Sequence, residues 1–173
     1  MLEASPSGEV SVSEYVDVEE RARELGCSIP TGIALLPRNL ASARSKDELI
    51  HENTVSDMRK VLREAGIAET TLEAPGERFP FALERHFDWA APIIFVAPLV
   101  LTENPQLVTV VLKAIADHVR QWLRGVPRSL RSVKLSVVVQ EKPGRYKMIE
   151  YEGPADGIND LADLVRSAQW RTK

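Results

Sequence analysis

Between Trp89 and Leu112 the chain runs for 24 residues with Glu103 as its one charge, directly behind Asp88. No other stretch limits so strongly what the chain can fold into. A membrane-spanning helix needs about 20 apolar residues, so length alone permits one. Pro92, Pro98 and Pro105 oppose it, because each removes a backbone donor and lipid supplies no replacement. Two shorter elements fit better. Asn104 is placed to cap a helix whose first turn holds Pro105. Val108, Val111, Ile115, Val119 and Trp122 then recur at steps of three and four up to Arg124, with Gly125 as the stop. The preceding piece, Ala90 to Leu101, is β-rich at Ile93-Ile94-Phe95-Val96. Asp88 as cap and Pro92 in the first turn nevertheless favour a short helix kinked at Pro98. The expectation is a hydrophobic helical hairpin at the centre of the domain, with Leu107, Val111, Ile115 and Trp122 inaccessible to water. A membrane-associated component anchored through residues 89–112 is the alternative.

A chain of 173 residues buries enough apolar surface to fold without covalent staples. Cys27 is its single cysteine, so no intramolecular disulfide forms. That composition, with an opening MLEASPSGEV lacking both the basic and the apolar parts of a secretory signal, gives a cytoplasmic address as the expectation. A net charge of −3 and a pI near 5.7 exclude a wholesale nucleic-acid binder.

Residues 1–12 read as a flexible tail, residues 13–88 as an N-terminal βαβ-like lobe, and residues 89–173 as the hairpin plus a ββα lobe, the two lobes being compatible with one compact domain. Ser11 and Glu14 have capping-box spacing, and Tyr15, Val18, Ala22 and Leu25 follow at helical spacing to Gly26. In the first lobe Gly32 to Pro37 reads as a buried strand. Asn53 caps a helix lined by Val55, Met58, Val61, Leu62 and Ala65, and Glu69 to Glu73 is a second strand. Arg78 to Phe87 carries three of the four Phe residues and is expected to wedge the lobes together. Val133 to Gln140 alternates as a half-buried strand, Tyr146 to Glu152 returns, and Asp156 caps a last helix with Ile158, Leu161, Leu164, Val165 and Ala168 inward. The fold class is α+β, a small mixed sheet packed on the central hairpin and ending in a ββα unit.

Catalytic patterns are sparse. His86 and Asp88, with Glu84 nearby, offer a weak metal or hydrolase arrangement without a second ligand cluster, and Asp88 is better read as a helix cap. His51 and His118 read as solvated. Cys27 has no local base and reads as a small buried hydrophobe. Gly-rich phosphate loops are absent, and no cofactor or metal is expected. One feature stands apart. The 23 residues from His118 to Gln140 contain no acid and carry Arg120, Arg124, Arg128, Arg131 and Lys134. Arginine forks beside an apolar element suit an anionic surface, whether acidic protein, nucleic acid or phospholipid. The acidic segment 1–24, with seven carboxylates against Arg21 and Arg23, is a candidate cover within the chain or in a neighbouring copy.

From about residue 89 to 168 the order of parts is a hydrophobic segment, a helix ending W-L-R-G, an Arg-rich link, V-K-L-S-V-V-V-Q, a turn, Y-K-M-I-E-Y-E-G-P and a short helix. This resembles the small effector-associated components of bacterial conflict and antiviral defence systems. The resemblance implies a non-catalytic adaptor that docks on a larger effector or sensor protein, sometimes near a membrane, and it carries over no catalytic residues. A small hydrolase using His86 and Asp88 is the reading from another class.

Overall fold

Strands β5 (Val133–Lys142) and β6 (Arg145–Gly153) pair antiparallel across a tight turn, and everything else is placed relative to them. A computed structural model of the chain describes residues 8–82, 89–127 and 132–167. In chain order the other elements are β1 (Glu9–Tyr15), α1 (Val18–Glu24), β2 (Ile33–Leu36), α2 (Val55–Glu64), β3 (Trp89–Ala90), β4 (Ile93–Val96), α3 (Pro98–Glu103), α4 (Gln106–Trp122) and α5 (Leu161–Ser167). One mixed sheet has the order β1-β6-β5-β4-β2, with the short β3 also on β5. β4 and β5 run parallel, joined by α3 and α4, while the remaining neighbours along that order are antiparallel.

Two cores sandwich this sheet. On its first face Ile33, Leu35, Ile94, Val96, the odd-numbered residues Val133 to Val139, Ile149 and Tyr151 pack against α2, α4 and α5. On the second, Ala34, Leu36, Phe95, Val138, Tyr146 and Met148 pack against Val18 and Ala22 of α1 and against Leu40, Leu49, Leu72 and Phe79 of the loops. The α+β class and the C-terminal strand pair followed by a short helix are as the pattern predicts. α4 carries the expected stripe: Val108, Val111, Ile115 and Val119 are buried, each contributing about 1.5–3 kcal/mol.

Several expectations are corrected. Ala90–Leu101 is not one kinked helix. Ile93–Val96 is a strand buried on both faces, which shows no alternation and so has no period to distinguish it from a helix. Pro98 opens α3 instead of kinking a longer helix. Asn104 ends α3 and makes no side-chain cap for α4; its carbonyl accepts from Leu107 N at 3.1 Å. Trp122 is 45% exposed, because one further helical step carries it off the sheet. Among the described residues no helix is long and apolar enough to cross a membrane.

Residues 9–12 are strand, not tail. Glu-Val-Ser-Val-Ser alternates with period two, and pairing with β6 outweighs the capping-box spacing of Ser11 and Glu14. Asp17 is the actual cap of α1, its Oδ1 accepting from Glu20 N at 3.1 Å. Glu69–Glu73 contributes only a single parallel bridge, Glu69 to Ile33. Asp156 lies inside a 3₁₀ segment, Ala155–Asp160, that leads into α5. From the segment 78–87, Phe79 is buried in the second core and residues 83–88 lie outside the described residues, as does Ala168.

Candidate functional site

Helix α2 presents Arg59 beside the buried Met58, and the loop before α2 brings His51 toward the same place. The expectation of a solvated His51 is wrong: it is 1% exposed. Its backbone is bound on both sides, His51 N donating to Pro80 O at 2.9 Å and Ala82 N to His51 O at 2.8 Å. Its Nε2 lies 2.9 Å from Glu73 Oε1. The same carboxylate accepts from Arg59 and, through Oε2, from Phe79 N at 3.1 Å. Arg59 Nε also reaches both oxygens of Glu69, at 3.1 and 3.3 Å.

Burial lowers the His51 pKa against the opposing pull of Glu73. Burial works to raise the Glu73 pKa, but the donors on Arg59 and His51 overcome it and leave that carboxylate below its ordinary value. Glu69 goes the other way, raised by burial in spite of Arg59. Neutral His51 therefore donates from Nε2 to an ionised Glu73, and its buried Nδ1 has no hydrogen-bond partner among the described residues. A carboxylate orienting an imidazole is half of a general-base arrangement. A base must also reach a substrate proton, whereas this ring is shut in by Phe79 and Phe81, with centroids at 5.4 and 6.3 Å. The cluster is a fastening. It holds segments 50–52, 69–73 and 79–82 to α2, and Thr70 N donates to Ile33 O at 2.7 Å, so the outer edge of β2 is covered.

Of the basic residues singled out from the sequence, the described Arg120 and Lys134 stand on opposite sides of the sheet. Arg120 is engaged by Asp156 and by Asp117, each at 2.8 Å. Arg124 is exposed just beyond α4. Lys134 stands on the second face of the sheet, 4.0 Å from Glu152, while α4 packs on the first. Arg128 and Arg131 lie outside the described residues, as do His86 and Asp88. Acidic α1 packs on the second face and so does not cover the end of α4. Cys27 is partly buried, and burial raises its pKa, which disfavours a reactive thiolate. Among the described residues no cluster of His, Cys, Asp and Glu could hold a metal ion.

Strand β1 is the feature that sequence reasoning missed, although its alternation was legible. Seven consecutive pairs join it to β6, and no described strand pairs with its other edge. Val10 and Val12 are 43% and 53% exposed. They sit opposite Tyr151 and Ile149, on the same face as the first core, and leave apolar side chains exposed at the rim of the sheet. On the second face, Glu9, Ser11, Lys134, Ser136, Glu150 and Glu152 line an open groove of about 560 Å³. Compared with protein-family models, curated proteins and solved structures, the chain gives no significant match.

Proposed function

We propose that the chain is a non-catalytic interaction subunit of a larger protein assembly, meeting other chains through the β1 edge and the groove beside it. The contrast between the two rims of the sheet carries this reading. The β2 rim is closed by Glu69 and Thr70. The β1 rim presents seven residues of strand without a proline or bulge, and its charges, Glu9 and Glu14, leave the Val10–Ser13 centre free to pair; proline, bulges and charges are the devices that ordinarily protect an exposed edge. The His51–Glu73–Arg59 cluster, its imidazole closed in by Phe79 and Phe81, supports a fastening role over a catalytic one. The resemblance of residues 89–168 to effector-associated components favours a larger effector or sensor as the companion protein.

The test is retention of companion proteins by tagged chain in its native cells. Val10→Lys with Val12→Lys changes only exposed side chains, so the thermal midpoint should hold within a few degrees while companions are lost. Full retention by the folded double variant would sink the reading.

A further inference from the structure

We infer that the strand received by the β1 edge is β1 of a second copy of this chain, related by a two-fold axis at Ser11. The inference rests on β1 being a docking edge and adds the identity of its occupant. An antiparallel pair about a two-fold axis normal to the sheet keeps each face continuous, so only residues on the same face come opposite one another. In β1 the first face carries Val10, Val12 and Glu14, and the second carries Glu9, Ser11, Ser13 and Tyr15.

Centred on Ser11, the register sets Val10 against the partner's Val12, Ser11 against the partner's Ser11, and Glu9 against the partner's Ser13. Apolar meets apolar, hydroxyl meets hydroxyl, and Glu9 meets a hydroxyl, while Glu14 falls beyond the paired residues. Neighbouring registers do worse. Centring on Val12 sets Val10 against the partner's Glu14, centring on Ser13 does the same to Val12, and centring on Val10 wastes Val12 on the partner's Gly8. Cross-strand pairs of like character are what select one register. The chosen one also gathers the four exposed valines into one apolar strip on the first face, beside Tyr151 and Ile149 of each copy. The two acidic grooves are left open side by side on the second face, available to the larger companion. Five paired residues per strand make a small interface, so the association is weak and concentration-dependent.

Light scattering of the full chain over a concentration series should show the mass rising from one chain toward two. Val12→Lys should weaken this self-association at least tenfold with the thermal midpoint retained. In a Cys27→Ser background, a cysteine placed at 11 should form an intermolecular disulfide faster than one placed at 13 or at the exposed Ser42, since antiparallel partners bring Cα atoms to about 4.5–5.5 Å, within disulfide range. Preferential coupling at 13 would overturn the register. A chain that stays single at every concentration, with no coupling at 11, would overturn the second copy. In that event, loss of companion proteins from the Val10→Lys/Val12→Lys chain would leave the docking edge standing, and their retention would remove it too.

Discussion

His51 and Glu73 make a pH dependence that can be assigned residue by residue. The unfolded imidazole takes a proton as pH falls through its ordinary value of 6.5, while the buried ring, facing Glu73 and Arg59 between Phe79 and Phe81, resists. The unfolded state thus binds more protons, so stability is complete above pH 6.5 and declines below it until the folded ring also charges. Glu73, with its depressed pKa, adds a loss of the same sign below its ordinary 4.5. Glu69, raised by burial, works in the opposite sense above 4.5. The thermal midpoint of the wild type should therefore fall between pH 7 and 5.5 by more than that of His51→Gln, which keeps a donor for Glu73 and does not titrate. Equal falls would show that His51 is not the group. Glu73→Ala removes the shared acceptor of Arg59 Nη2, His51 Nε2 and Phe79 N, leaving Arg59 to Glu69 alone, and should cost about 3 kcal/mol in denaturant unfolding. Tyr151 gives a second residue-scale test. Its ring lies so close to Gly8, Gly153 and Gly157 that a methyl group at Gly157 would overlap its hydroxyl. Gly157→Ala should cost about 2 kcal/mol, and measurably less in a Tyr151→Phe background, where the colliding oxygen is gone.

Among the elements, α4 was legible in the sequence because its two sides differ: a stripe at steps of three and four faces the sheet and polar residues face outward. Val111→Asp places a carboxylate in that interface and should abolish cooperative unfolding, a loss above about 4 kcal/mol. Trp122→Ala should cost under about 1.5 kcal/mol by the same measurement, since the indole is nearly half exposed. β4 shows the opposite case. Covered by α4 on one side and Phe95's neighbours on the other, it has no polar face and hence no period. β1 was legible by its alternation, yet alternation does not say whether a strand pairs with anything; that depended on β6, more than 130 residues away in the register Glu9–Glu152.

At the scale of the molecule the sheet binds the first residues of the described chain to the last strand, so the terminal segment is structural. Deleting residues 1–25 removes β1 together with buried Val18, Ala22 and Leu25. The expected outcome is loss of the folded state by circular dichroism, not a folded chain with a newly uncovered basic surface. Sequence alone determined the α+β class, helices α2 and α4, the β5–β6 pair and the glycine stops, because local periodicity and turn chemistry act over a few residues and are written there. Tertiary structure alone decided that Ile93–Val96 is a strand, that Arg120 and Lys134 stand on opposite sides of the sheet, and that His51 meets Glu73 across 22 positions. It also decided which rim of the sheet was closed and which left bare. The reason is physical: burial on both faces erases periodicity, and the partner of a charge or a strand edge is set by the path of the whole chain, which no local pattern encodes.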